Sequence, residues 1–127
     1  MQERPVYLDL TKIRLPMSAL SSITHRLSGI YVFFITLPFL LFIINKSTSS
    51  KASFDELLIQ LNTFSIFSVL FYLSISIFWY HILTGLRHLI MDFFHIGESL
   101  KVANLSSILV ICFWAISYLI FMGYLFL

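Results

Sequence analysis

His81 lies in an apolar segment that is long enough to cross a lipid bilayer, and Gly85 and His88 follow it at helical spacing. An ionisable residue inside a membrane span is costly to keep there, so it marks a candidate functional site. On a helix, positions i, i+4 and i+7 share one face. Gly85 has no side chain one turn from His81, so a flat ligand or a second backbone can approach closely. The pattern favours an imidazole offered to a bulky cofactor.

A b-type haem has a polarity that suits this face, with an apolar macrocycle, a central iron and two propionates on one edge. Iron takes an axial imidazole, and anionic propionates need cations or strong donors. His81 is therefore the candidate iron ligand, about 10 Å deeper along the helix than His88. His25, Arg26 and His88 are expected near the propionates. No second histidine is expected at the depth of His81, so a second axial ligand would come from another chain.

Each of these residues also has a simpler interpretation. From the residues alone, His81 is as readily explained by a hydrogen bond to a neighbouring helix as by a role as a ligand. Arg26 and Arg87 could be snorkelling residues at the ends of spans. Ser21 and Ser22 could be N-cap residues of the first span.

The composition predicts an integral membrane protein. Of its 127 residues, 59% are hydrophobic and 11% charged, and the mean hydropathy is +0.94. A soluble domain averages about 45–50% apolar and about 25% charged residues. The net charge of +2 is too small for nucleic-acid binding. Cys112 has no disulfide partner, and the absence of a CxxCH motif argues against covalent c-type haem.

Three apolar segments predict an all-α integral membrane protein with three transmembrane helices in one domain, residues 1–127. Each segment is close to the roughly 20 residues that a spanning helix needs. The charged first twenty residues are not those of a cleavable signal peptide. The predicted spans are residues 23–45, 63–86 and 105–127.

Features between the spans predict further details. Pro38 predicts a local kink in the first span. The polar stretch 45–51 predicts a loop, and the mixed stretch 54–62 predicts an interfacial helical turn that leads into the second span.

The distribution of basic residues predicts the orientation in the membrane. Six of them belong to the N-terminal segment and the second connection, and two to the first connection. Positive charge favours the inner side, so the N-terminus is expected inside and the C-terminus outside. The six are Arg4, Lys12, Arg14, Arg26, Arg87 and Lys101, and the two are Lys46 and Lys51.

Two motifs carry a resemblance to a known family. The first is Arg4-Pro5-Val6, followed by Ser22-Ile-Thr-His25-Arg26-Leu-Ser28-Gly29, and the second is His81-x-x-x-Gly85-Leu86-Arg87-His88-Leu89-x-Met91-Asp92. Together they resemble the cytochrome b556 subunit of succinate dehydrogenase, the larger of two membrane anchors of respiratory complex II. The resemblance covers residues 2–92, whereas the third span matches only as an apolar helix. Phe94 departs from the small residue that is usual there.

The resemblance implies a haem b subunit of succinate:ubiquinone oxidoreductase, with no activity of its own. It implies that His81 is the axial haem ligand, opposite a histidine of the second membrane-anchor subunit. It places His25, Arg26 and His88 near the propionates, and Ser22 and Arg26 at the ubiquinone site beside the iron–sulfur subunit. A flavoprotein subunit completes the expected complex. The expected location is a bacterial inner membrane, with the mitochondrial inner membrane less favoured.

The chemistry of the first motif agrees with a quinone site, because a serine hydroxyl and an arginine can stabilise charge on a reduced quinone oxygen. Ser22 and Arg26 are i and i+4 on a helix and can reach one pocket. A quinol:fumarate reductase anchor would use the same pocket in reverse. A small transporter is a further alternative, but it would carry an acidic residue deep in a span, and residues 27–44, 63–86 and 105–127 have none.

Overall fold

The chain folds into helices that cross the membrane three times. The computed structural model describes residues 15–96 and 99–126, and that part of the chain contains no β-strand. Three stretches are long and apolar enough to span a bilayer, Met17–Ser49, Ile66–Phe94 and Leu100–Leu125. The predicted all-α, three-span architecture is therefore confirmed. The elements are α1 (Met17–Tyr31), a π-helical segment (Val32–Thr36), α2 (Leu37–Ser49), α3 (Lys51–Asn62), α4 (Ile66–Phe94) and α5 (Leu100–Phe126).

The first span begins earlier than the hydropathy predicts. α1 starts at Met17, and Pro16 in an extended conformation is its N-cap. The carbonyl of Pro16 accepts hydrogen bonds from the backbone of the first turn. Ser21 and Ser22 therefore lie inside the helix, and the prediction that they cap it is wrong. The Arg4-Pro5-Val6 motif lies outside the described residues.

Pro38 acts through the turn that precedes it. Because proline has no N–H, it cannot donate to the carbonyl four residues earlier. The chain forms a π-helical segment over Val32–Thr36, in which the N–H of Leu37 donates to the carbonyl of Val32. Such an i→i+5 turn is a known way to interrupt an α-helix without breaking it. The span from Met17 to Ser49 is thus continuous.

The polar stretch 45–51 is helical almost to its end, so the prediction of a loop there is wrong. The hydroxyl groups of Ser47 and Ser49 donate to carbonyls one turn earlier in α2. Polar side chains that bond to their own helix need no loop to satisfy them. The helix ends only at Ser50, which has an extended backbone and accepts a hydrogen bond from Ser53 N at 3.1 Å as the N-cap of α3.

α3 is longer than the helical turn predicted over residues 54–62, and the helical part of that prediction is confirmed. Lys46 on α2 holds α3 in place by an ion pair with Glu56 at 3.2 Å and a hydrogen bond to Gln60 at 3.1 Å. Leu57 of α3 is buried, with 3% of its surface exposed. α3 therefore packs against the end of the first span as a short return helix.

Small hydroxyl side chains fill the places where the three spans meet, while large apolar side chains face outward. This is the reverse of a soluble core, since lipid is as apolar as leucine and small residues let helices approach closely. α1 contacts both α4 and α5, and α4 contacts α5. Among the described residues, the buried hydroxyl side chains are Ser21, Ser28, Thr36, Ser68, Ser74, Ser76, Thr84 and Ser107.

Arg87 is buried between α4 and α5. Its side chain is 6% exposed. Its Nε donates to Ser106 Oγ at 3.0 Å, and its Nη2 donates to the carbonyl of Ala103 at 2.8 Å. The snorkelling interpretation is therefore wrong for Arg87, which fastens the first turns of α5 to the C-terminal part of α4.

Replacing Arg87 with alanine should destabilise the protein. The change removes two hydrogen bonds and leaves the carbonyl of Ala103 without this donor, which we expect to lower the free energy of unfolding by about 1–3 kcal/mol. Thermal unfolding in detergent measures the effect. Lys101→Ala, at an exposed residue of α5, is the control. An Arg87→Ala protein as stable as this control would contradict the assignment.

The orientation in the membrane remains a prediction. His25 and His88 are in contact, so the start of α1 and the end of α4 share one end of the bundle, and α5 runs away from that end. We expect a fusion after Leu127 to give active alkaline phosphatase and dark green fluorescent protein, because the C-terminus faces outward. A fusion truncated after Ile96 should show the opposite pattern. Fluorescence from the full-length fusion would contradict the orientation.

Candidate functional site

Three histidines form a row between α1 and α4. The ring of His25 lies parallel to that of His81, with centroids 4.3 Å apart and an interplanar angle of 4°. The ring of His25 also lies 5.5 Å from that of His88. His25 therefore contacts both histidines of α4.

This row corrects one expectation about depth. Because α1 begins at Met17, His25 already stands about 12 Å along the helix at 1.5 Å per residue. The prediction that no other histidine lies at the depth of His81 is therefore wrong. The error came from taking the start of the apolar run as the start of the helix.

Hydroxyl groups hold the two stacked imidazoles from the opposite helix. His25 Nδ1 on α1 is 2.8 Å from Thr84 Oγ1 on α4. His81 Nδ1 on α4 is 2.9 Å from Ser28 Oγ on α1. Each helix thus supplies one imidazole to its neighbour and one hydroxyl that receives the neighbour's imidazole.

Two glycines make room for the imidazoles. A Cβ atom at Gly29 would lie 3.1 Å from His81 Cε1, and a Cβ atom at Gly85 would lie 3.1 Å from His25 Cε1. The space beside Gly85, which the sequence suggested for a flat ligand or a second backbone, therefore holds the ring of His25. We call this reciprocal arrangement the histidine clasp, and its members are His25, Ser28, Gly29, His81, Thr84 and Gly85.

The hydrogen bonds of the clasp fit the tautomer of each neutral imidazole that carries its proton on Nδ1. Ser28 Oγ donates its proton to the carbonyl of His25 at 2.7 Å, so it accepts from His81 Nδ1. Thr84 Oγ1 donates to the carbonyl of Tyr80 at 2.8 Å, so it accepts from His25 Nδ1. In each neutral ring the Nε2 lone pair is left for a ligand. That lone pair is the donor that haem iron takes from histidine, so the donor set of His81 fits a haem.

The predicted cationic rim lies at the end of the clasp nearest the C-terminus of α4. Arg26 is exposed on α1, and His88 is half-buried on α4. Arg87, Asp92 and Arg26 all lie within electrostatic reach of His88. Arg26 and His88 are therefore near each other, and the guanidinium of Arg87 is hydrogen-bonded to α5.

Ser22 lies one turn before Arg26 on α1 and is half-buried. A different face of α1 lines an apolar groove of about 520 Å³ between α1, α4 and α5, where the hydroxyls of Thr24 and Tyr80 are hydrogen-bonded. Ser22 and Arg26 do not line this groove. The groove residues are Leu20, Thr24, Leu27, Ser28, Tyr31, Ile77, Tyr80, Ile111 and Trp114.

Sequence reasoning missed the two hydroxyl residues of the clasp, Ser28 and Thr84. A signal for them was present, because the pattern His-x-x-Ser/Thr-Gly occurs at residues 25–29 and again at residues 81–85. On two antiparallel helices, a repeated pattern of an imidazole, a hydroxyl and a glycine predicts mutual contact. Neither copy is informative by itself.

Comparison with known proteins found a family model and several relatives that match this chain. Residues 1–121 match the family of the succinate dehydrogenase/fumarate reductase transmembrane subunit. The succinate dehydrogenase cytochrome b556 subunit of Coxiella burnetii (strain RSA 493 / Nine Mile phase I) is 40% identical over 92 residues, which cover 71% of each chain. The cytochrome b560 subunit of Porphyra purpurea is 39% identical over 90 residues, covering 70% of this chain and 71% of that one.

A third relative covers more of the sequence. The succinate dehydrogenase cytochrome b556 subunit of Rickettsia bellii (strain RML369-C) is 32% identical over 107 residues, which cover 83% of this chain and 79% of that one. The resemblance stated from the two motifs is thereby confirmed. With a family match over nearly its whole length, the chain belongs to the transmembrane subunits of succinate dehydrogenase and fumarate reductase.

Proposed function

We propose that this chain is the membrane-anchor haem b subunit of a succinate:ubiquinone oxidoreductase and helps to form its quinone-reduction site. The observation that carries the proposal is the contact of His81 Nδ1 with Ser28 Oγ at 2.9 Å, because a hydrogen bond at Nδ1 leaves Nε2 as the nitrogen that would ligate a metal. The names of the relatives, cytochromes b556 and b560, support a b-type haem. Three apolar spans support a membrane location, and the names of the Coxiella and Rickettsia relatives support our assignment to a bacterial inner membrane.

His81 would be the axial ligand from this chain, and a bound haem supplies a one-electron redox centre next to the quinone site. His25 lies parallel against His81 with ring centroids 4.3 Å apart, so the two imidazoles leave no room between them for a haem. His25 therefore does not take the second position, and we assign that ligand to a histidine of the second membrane-anchor subunit.

The propionates would meet the inner end of the histidine row. Arg26 supplies a permanent positive charge there, and the imidazoles of His25 and His88 add hydrogen-bonding groups. An arginine beside a carboxylate offers several donors in a fixed fork, which is well suited to an anion entering a low-dielectric region. The exposure of Arg26 leaves its guanidinium accessible to such a group.

Ser22 and Arg26 would bind ubiquinone at the inner edge of the membrane. The hydroxyl and the guanidinium can both donate hydrogen bonds to a quinone oxygen, which gains negative charge on reduction. Protons reach that oxygen from the aqueous inner side. Because both residues lie away from the apolar groove, an iron–sulfur subunit could cover them and deliver electrons that a flavoprotein subunit takes from succinate.

A quinol:fumarate reductase anchor is the second candidate, since the matched family includes fumarate reductase subunits. The named relatives are all succinate dehydrogenase subunits, which favours succinate oxidation. Membership of this family leaves the transporter alternative without support.

Replacing His81 with alanine should remove or alter the haem. A reduced-minus-oxidised spectrum of the detergent-purified complex should show a b-type α-band in the wild type that is lost or shifted in His81→Ala. The control is His95→Asn at the left-handed end of α4, a backbone conformation that asparagine tolerates. An unchanged band in a well-assembled His81→Ala complex would show that His81 is not the ligand.

Replacing Arg26 with alanine should impair quinone reduction selectively. Loss of one donor to a developing oxyanion costs on the order of 100-fold in rate, whereas succinate oxidation by an artificial dye bypasses the quinone. The two activities of purified complex are compared with those of Lys51→Ala, an exposed residue of α3. Equal loss of both activities in Arg26→Ala would point to failed assembly and refute the selective role.

A further inference from the structure

We infer that Ser28 is a positioning residue for His81, whose hydroxyl fixes the tautomer and orientation of the imidazole and thereby sets the redox potential of the bound haem. The inference rests on the proposed function, because it takes His81 as the ligand. It adds a role for a residue that touches neither the quinone nor the iron.

The hydroxyl of Ser28 is itself held in one orientation. Its side chain is 6% exposed, and its proton is given to the carbonyl of His25 at 2.7 Å. A lone pair is thereby left to accept from His81 Nδ1 at 2.9 Å. A buried and oriented acceptor of this kind cannot rotate away as a surface hydroxyl can.

The ring of His81 is confined on other sides as well. His25 lies parallel to it at 4.3 Å, and Gly29 leaves just enough space for its Cε1 edge. A half-turn of the ring about its Cβ–Cγ bond would place a carbon opposite Ser28 and lose the hydrogen bond. Ser28 therefore favours the ring orientation that places Nδ1 opposite its hydroxyl.

A hydrogen bond at Nδ1 also changes the chemistry of Nε2. An acceptor at Nδ1 raises the basicity of the ligating nitrogen, and loss of such a partner typically costs about 10–100-fold in metal affinity. A more basic imidazole stabilises oxidised iron and lowers its reduction potential. Removing the acceptor should consequently raise the midpoint potential and weaken haem retention.

The test compares variants of the purified, haem-containing complex. Ser28→Ala should raise the haem midpoint potential and weaken haem affinity about tenfold. Ser28→Thr keeps the hydroxyl, and its added methyl group can enter the neighbouring groove, so its potential should match the wild type. Ser28→Cys keeps the volume but is a weaker acceptor, so we expect a smaller upward shift. If Ser28→Ala does not assemble, this variant provides the test.

Ser107→Ala is the matched control. Ser107 is fully buried on α5, and its hydroxyl donates to the carbonyl of Ala103. Ser107→Ala therefore removes a buried hydroxyl that has no histidine partner, and the haem midpoint potential of this variant should be unchanged. An unchanged potential and haem affinity in Ser28→Ala would overturn the inference, as would an equal shift in Ser107→Ala.

His81→Ala in the same series separates this inference from the proposed function. Loss of the haem band in His81→Ala, together with no shift in Ser28→Ala, would refute the role of Ser28 and leave the ligand in place. An unchanged band in His81→Ala would refute the ligand assignment and, with it, the inference that depends on it.

Discussion

The close approach of α1 to α4 is the constraint on which the rest of the structure depends. Lipid gives no hydrophobic force between helices, so packing and hydrogen bonds must hold them together. The clasp supplies both, because Gly29 and Gly85 admit the opposite imidazoles while Ser28 and Thr84 bind them. The same contacts that join the two spans also orient the histidines, so helix association and the proposed haem ligation use one set of atoms.

Hydrogen bonds also hold α5 against α4. Arg87 fastens α5 through one side-chain and one backbone acceptor. Near the middle of α4 and α5, Trp79 and Trp114 each donate across that interface, Trp79 to Ser117 and Trp114 to the carbonyl of Ser76. Polar contacts thus run along the whole bundle, and the apolar exterior is free to meet lipid or partner subunits.

The sequence predicted the spans and the candidate ligand, but not how the histidines meet. Apolar length decides whether a helix spans a bilayer, and His81 is conspicuous in such a segment. The depth of His25 depends on a helix that starts at Met17, outside the apolar run. The stretch 45–51 looked like a loop because its serines are polar, yet their hydroxyls bond back to the helix. Gly85 contacts the ring of His25, which is distant in the sequence, and a local sequence pattern does not reveal such a contact.

The π-helical segment at Val32–Thr36 has a consequence for the phase of the first span. It adds one residue to a turn, and one residue of an α-helix corresponds to a rotation of about 100°. Everything from Leu37 onward is turned by roughly that angle relative to α1. The first half, α1, can therefore present His25 to α4 while the second half, α2, presents Lys46 to α3. A single inserted residue thus lets the two halves of one continuous helical span contact different neighbouring helices.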